Sequence, residues 1–276
     1  MSGGIELSIT VKNLSFSYGN HKVLDDLSFQ AMSGEMICLL GPNGVGKSTL
    51  FKIILRLLHQ NQGKVEISGQ DTEGLSVRKM AELAAYIPQS HEITFSYKVF
   101  DMVLMGTTVK TGYLSQPDQK QKRIAEEKLD QMGILELKNR NFDQISGGER
   151  QLVLIARALA QDTKVLIMDE PTANLDYGNQ IKVLTQIKGL AGLGYTILQA
   201  THQPEQAFLF ADKVIALKDG RLYAYGTPGK VITEQFIKEL YDVDVKMQSI
   251  CNDRLRVCVP VTAMRQDTEI KDNNIG

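Results

Sequence analysis

The sequence predicts an α/β fold with a mainly parallel sheet core, an antiparallel β region ahead of it and an α-helical subdomain inserted into it. Three observations carry that prediction. The apolar run Met36-Ile-Cys-Leu-Leu40 leads straight into Gly41-Pro-Asn-Gly-Val-Gly-Lys47-Ser48-Thr49, and a helical pattern follows from Ser48 to about Leu58. A second run, Val165-Leu-Ile-Met, ends in two acids, Asp169 and Glu170. Uninterrupted apolar residues of that length mark a strand covered on both faces, as in the middle of a parallel sheet. Between these two runs, residues from about Glu92 to Ile145 change to helical periodicity, as in Ile124-Ala-Glu-Glu-Lys-Leu-Asp-Gln-Met132.

In chain order, residues 5–37 alternate apolar and polar positions around the turn signals Tyr18-Gly-Asn20 and Ser33-Gly34, which reads as antiparallel β structure. The glycine loop fits G-x-x-x-x-G-K-[ST]. Gly41, Gly44 and Gly46 let successive backbone N–H groups turn inward as a nest for phosphate oxygens, with Asn43 and Thr49 in the same loop. Lys47 supplies a point charge for the outer phosphates, and the Ser48 hydroxyl is a ligand for Mg²⁺. The helix that starts here points its positive end at the same anions. Gly63-Lys-Val-Glu-Ile-Ser-Gly69 is a further short strand bounded by glycines, and Gly112 to Asp118 reads as a polar loop between helices.

Ile145-Ser-Gly-Gly-Glu-Arg-Gln151 precedes an apolar, alanine-rich run of helical character, Leu152 to Ala160. Ser146 and Glu149 have capping-box spacing, so the segment reads either as a well-capped helix and nothing more or as a second anion site formed by Ser146 and the amides of Gly147 and Gly148 at a helix N-terminus. At the end of the next strand Asp169 is placed to hold Mg²⁺ and Glu170 to polarise or deprotonate an attacking water. Phosphate loop and acids together predict nucleoside triphosphate hydrolysis. Beyond them come a helix around Asn179 to Leu190, a strand within Tyr195 to Thr201, and a hairpin with an Asp-Gly turn at Asp219-Gly220. Glu234 to Leu240 should be helical, and the polar, charged stretch from about Met264 should be a mobile tail.

At this point the chain resembles the ATP-binding cassette (ABC) family, whose signature is usually L-S-G-G-Q. The other motifs stand in order: Tyr18 as the aromatic residue ahead of the phosphate loop, Gln89 in Tyr86-Ile-Pro-Gln, Asp176 in Asn174-Leu-Asp and His202 in Thr201-His-Gln-Pro. The resemblance covers roughly residues 8–245. It implies a P-loop NTPase cassette with a RecA-like core: an ABC nucleotide-binding domain at 5–245, its helical subdomain at about 90–150, and a short extension at 246–276. Implied cofactors are ATP and Mg²⁺, the latter met by Ser48, Gln89 and Asp169. Lys47, Gln89, Glu170 and His202 are the implied catalytic residues, with Tyr18 stacking on adenine. Ser146, Gly147, Gly148 and Asp176 would act on nucleotide held by a second copy in a head-to-tail dimer. Two departures stand out: Ile145 replaces the usual Leu, and Glu149 replaces the usual Gln, where it is expected to cap its helix.

Several local features, among them Asn174-Leu-Asp-Tyr-Gly-Asn-Gln180 and Thr201-His-Gln-Pro-Glu205, resemble the branch serving iron–siderophore, haem, cobalamin and some molybdate importers. The resemblance implies integral membrane permease subunits as partners, a substrate-binding protein acting indirectly, and a peripheral place on the cytoplasmic face of the inner membrane. Phe95, Tyr97, Val99 and Phe100 would either receive a permease helix or belong to the core. The competing readings are a soluble ATPase working on ribosomes or DNA, and the ATPase subunit of an exporter. Composition weighs against the first: 31 Lys and Arg against 32 Asp and Glu give no bias toward nucleic acid. No apolar run approaches the length that spans a bilayer, and Met-Ser-Gly-Gly-Ile-Glu is not the start of a secretory signal. Cys38, Cys251 and Cys258 are too scattered for a disulfide framework or a zinc site.

Overall fold

In the computed structural model the described residues are 6–89, 96–111, 116–250 and 255–263. Phe95, the first part of the loop expected at Gly112 to Asp118, Cys251 and the tail expected from Met264 lie outside them. Strands β1 (Leu7–Tyr18) and β2 (His21–Met32) form an antiparallel hairpin, closed by a tight turn in which Gly19 takes φ +56°. Strand β3 (Met36–Leu40) then runs fully buried into the glycine loop and helix α1 (Lys47–Ile54). Strands β4 (Gln62–Ile67) and β5 (Gln70–Asp71) return to the antiparallel region and complete a four-stranded sheet ordered β2-β1-β4-β5.

Helix α1 is shorter than its apolar pattern suggests. It stops at Ile54 because Arg56 adopts φ +56°, and the N–H groups of Arg56 and Leu57 turn back to the carbonyls of Ile53 and Lys52. Those bonds form a Schellman motif with arginine in the position glycine usually takes. Helix α2 (Val77–Leu83) and strand β6 (Ala84–Ile87), which sequence pattern did not separate, follow directly on one another.

The helical insertion comprises α3 (Val99–Leu104), α4 (Thr108–Thr111), α5 (Gln119–Gln131) and α6 (Gly147–Leu159). Asp118 and Gln121 close a reciprocal capping box on α5, as Ser146 and Glu149 do on α6. The chain returns to the sheet as β7 (Val165–Asp169), α7 (Tyr177–Gly192), β8 (Thr196–Ala200), α8 (Pro204–Phe210), β9 (Lys213–Lys218) and β10 (Arg221–Gly226). Helix α7 is longer at both ends than the stretch from Asn179 to Leu190; Asp176 caps its N-terminus and so sets its start at Tyr177. After α9 (Pro228–Val231) and α10 (Glu234–Tyr241), a hairpin of β11 (Val245–Ile250) and β12 (Leu255–Pro260) packs against α8 and α10.

The six-stranded sheet is ordered β10-β9-β3-β8-β7-β6; all its pairings are parallel except β10 on β9. Side-chain alternation divides the apolar residues between its two faces. Met36, Cys38 and Leu40 join the core beneath α3, α5, α6 and α7. Ile37 and Leu39 join the core shared with α1 and the antiparallel sheet. The glycine loop and the two acids thus sit at the carboxyl ends of β3 and β7, central parallel strands with β8 between them, where open α/β sheets bind ligands. Among the described residues no helix is long and apolar enough to cross a membrane.

Candidate functional site

A cleft of about 530 Å³ opens at the carboxyl end of β3, β7 and β8. One wall is the glycine loop: Asn43, Gly44, Gly46, Lys47, Ser48 and Thr49 all face it. Gly44 at φ +81° and Gly46 at φ +108° lie in the left-handed region, and a Cβ on Gly46 would meet Leu24 Cδ2 at 2.8 Å. Only glycine fits both the angle and the contact at Gly46. Gly41 stands beneath the loop rather than in its wall. The buried Lys47 ammonium donates to the carbonyls of Gly41 (2.7 Å) and Pro42 (3.1 Å). Burial pulls its pKa below the ordinary lysine value, opposed by the charges of Glu170 and Asp169.

The opposite wall carries Gln89, Asp169, Glu170, Ala173, Asn174 and His202. Glu170 has φ +47°, a strained angle for a residue with a side chain. The same Glu170 oxygen, Oε2, accepts from Gln89 Nε2 at 3.1 Å and lies 3.3 Å from His202 Nδ1. Residues far apart in sequence thus converge on one carboxylate oxygen. Asp169 is nearly buried at the end of β7. Burial first, then the charge and proximity of the Asp169 carboxylate, push the Tyr86 pKa up to about 12. Sequence reading passed over Tyr86. The signal was parity: β6 pairs with β7 so that Tyr86 sits opposite Ile167, on the same face of the sheet as Asp169.

Ser146, Gly147, Gly148, Asp176 and Tyr18 do not line this cleft. Ser146 and Gly147 are exposed and Gly148 is buried at the start of α6. Glu149 Oε2 accepts the Ser146 N–H at 2.7 Å while Ser146 Oγ accepts the Glu149 N–H at 3.3 Å. The Ser146 backbone N–H foremost, then the Ser146 side chain, hold the Glu149 carboxyl below its ordinary value. Asp176 caps α7 by accepting the Asn179 N–H. Tyr18 is half exposed at the end of β1, its ring edge-on to Phe16 with centroids 4.8 Å apart. Of the apolar residues after Gln89, Val99 is wholly buried, Phe100 packs on the same core and Tyr97 is exposed. Val99 is therefore a core residue, and Phe100 is half-buried against that core.

A strand, a phosphate-binding loop and a helix facing paired acids on another parallel strand of the same sheet, one strand removed, define a P-loop nucleoside triphosphatase. The ABC transporter family model matches residues 24–173, and the chain belongs to that family. It is accordingly an ATP-binding, ATP-hydrolysing transporter subunit. An uncharacterized ABC transporter ATP-binding protein of Haemophilus influenzae is 36% identical over 233 residues, covering 84% of this chain and 89% of that protein. The petrobactin import ATP-binding protein YclP of Bacillus subtilis is 32% identical over 251 residues, covering 90% of this chain and 98% of its own length. A solved structure described as a metal-chelate type ABC transporter in an inward-facing conformation superposes with a TM-score of 0.81 at 30% identity, covering 92% of this chain and 98% of that one.

Proposed function

We propose that this chain is the ATPase subunit of an importer for iron–siderophore or a related metal chelate such as haem or cobalamin. It would act with separate membrane permease subunits, and indirectly with a substrate-binding protein, from the cytoplasmic face of the inner membrane. The relatives named for petrobactin import and metal-chelate transport support the cargo class. In this scheme residues 5–245 are the nucleotide-binding domain, about 90–150 its helical subdomain and 246–276 an extension.

The observation that carries the enzymatic part is the single Glu170 oxygen held by both Gln89 and His202 across the cleft from Lys47. The loop amides from Asn43 to Thr49 and the Lys47 ammonium hold the phosphates. The Ser48 hydroxyl, the Gln89 amide oxygen and the Asp169 carboxylate form an all-oxygen donor set that fits Mg²⁺, a hard cation that keeps several waters. When held there, Mg²⁺ would neutralise charge on the phosphate oxygens. Glu170 accepts the proton of the attacking water, and His202 and Gln89 fix its carboxylate. Tyr18 offers its ring to adenine.

Each cleft is completed by Ser146, Gly147, Gly148 and Asp176 of a second copy, in a head-to-tail dimer that encloses two ATP molecules. ATP adds contacts only in the closed dimer and so shifts the open–closed equilibrium, which hydrolysis reverses. Glu170→Gln tests the assignment. Steady-state turnover should fall by about 100- to 10,000-fold, the usual share of a general base, while ATP still binds and a dimer accumulates on a sizing column. Turnover at the wild-type rate would remove Glu170 from the role. For the cargo, deletion of the gene should abolish uptake of labelled iron chelate and spare unrelated solutes.

A further inference from the structure

Asn179 lies in the first turn of α7, outside the roles assigned above. Its backbone N–H donates to Asp176 Oδ1 at 2.9 Å, and its side-chain Nδ2 donates to Asp176 Oδ2 at 2.7 Å. One residue therefore holds both oxygens of that carboxylate. The amide oxygen of the same side chain faces the other way, onto the signature turn. A Cβ built on Gly148 would stand 2.7 Å from Asn179 Oδ1 and 2.8 Å from its Cγ. Beside it, a Cβ on Gly147 would meet Leu175 Cδ2 at 3.2 Å. The first turns of α6 and α7 are thus in contact through this one amide.

Helix capping accounts for the backbone bond alone. It requires neither the second bond to Asp176 nor the contact with Gly148. Together the two bonds hold the Asp176 carboxyl below its ordinary value, so it stays charged and in one orientation although its side chain is exposed. An exposed carboxylate otherwise samples several rotamers, and ordering it on contact costs free energy that a fixed one has already lost.

We propose that Asn179 is a positioning residue for ATP hydrolysis, holding the Asp176 carboxylate and the signature turn at Gly148 at one separation so that both meet the second copy of the chain together. The proposal rests on the dimer reading given under the proposed function. Asn179 touches neither nucleotide nor reacting atoms; it acts through Asp176 and Gly148.

The test uses the full-length chain and three variants, Asn179→Ala, Asn179→Asp and Asn179→His. ATPase rates are measured against ATP and against protein concentration, with ATP titration of the dilute chain in parallel. For Asn179→Ala, kcat should drop about tenfold or more, the scale of a lost hydrogen bond to a charged group, with KM for ATP changed less than about twofold. The protein concentration giving half-maximal specific activity should rise, and ATP titration should be unchanged. Asn179→Asp removes the donor and sets a like charge beside Asp176, so it should fall at least as far. Asn179→His keeps a donor nitrogen the same number of bonds from Cα and should regain half or more of the lost rate. Wild-type kcat and concentration dependence in Asn179→Ala would overturn the proposal. So would a loss matched by weaker ATP titration and not relieved by His, the mark of a packing role only. If instead wild-type specific activity is constant on dilution and Ser146→Arg remains active, the dimer reading itself fails and takes this proposal with it.

Discussion

Glu149 stands where the family usually has glutamine, and its side chain is engaged as a helix cap. A carboxylate beside an anion site would ordinarily repel the ligand. Here one carboxylate oxygen is bound to the Ser146 N–H at the positive end of α6, as the Ser–x–x–Glu spacing predicts. A glutamine at the same place keeps an acceptor oxygen, so Glu149→Gln should change stability at pH 7 by less than about 0.5 kcal/mol and leave ATPase activity near wild type. The two proteins should separate in acid. The Glu149 carboxyl is lowered from its ordinary 4.5 in the folded chain, so its contribution is complete above that value and fades as pH falls through the lower, folded-state one. Thermal midpoints that nearly coincide at pH 7 should therefore diverge as the pH is lowered to 3, the wild type losing the greater share. Glu170 belongs to the same scale but was only half legible. The Asp-Glu pair was visible in the sequence; the φ of +47° that turns Glu170 toward Gln89 and His202 was not.

At the level of elements, strands buried on both faces were the easiest to read, because nothing but a central parallel strand accounts for Met36–Leu40 and Val165–Asp169. The Asp219-Gly220 hairpin was equally plain: both residues take positive φ, as a two-residue hairpin turn requires. What escaped had no local punctuation. Ala84 ends α2 and begins β6 with no glycine or proline between them, and alanine favours helix. Pairing with β7 overrides that propensity. The end of α1 was missed for a related reason, since its left-handed residue is Arg56. Helix contacts escape too, because propensity does not report how closely two elements approach. Gly106, just after α3, lies so near α6 that an added Cβ would meet the Arg157 carbonyl at 2.2 Å and Ala160 Cβ at 3.0 Å. Its φ is unremarkable, so space alone excludes a side chain. Gly106→Ala should force α3 from α6 and cost about 1–3 kcal/mol, read as a lower midpoint in urea unfolding. A stability equal to wild type would mean that the two helices can separate freely.

At the scale of the whole molecule, the arrangement of motifs matters more than any one of them. Lys47 and Glu170 face one cleft, while Ser146 and Asp176 lie outside it at the starts of α6 and α7. The extension also belongs to this scale: the hairpin of β11 and β12 was not legible as strands, and Arg256 anchors it by stacking 5.3 Å over Phe208 of α8 and donating to the Gly229 carbonyl at 2.9 Å. If one chain supplies the phosphate loop and another the signature, two separately defective chains can make a working site between them. Consider Lys47→Ala and Ser146→Arg, each placed in a Glu170→Gln background so that ATP once enclosed is not hydrolysed. Neither variant alone should form an ATP-dependent dimer, since every site contains a defect. In a mixed dimer both defects fall in one site, and the other joins an intact loop to an intact signature. Mixing the two chains with ATP should therefore yield a dimer on a sizing column retaining one ATP, against two for the Glu170→Gln parent. Nucleotide retention by the Ser146→Arg chain alone, unchanged on mixing, would instead place the whole site within a single chain.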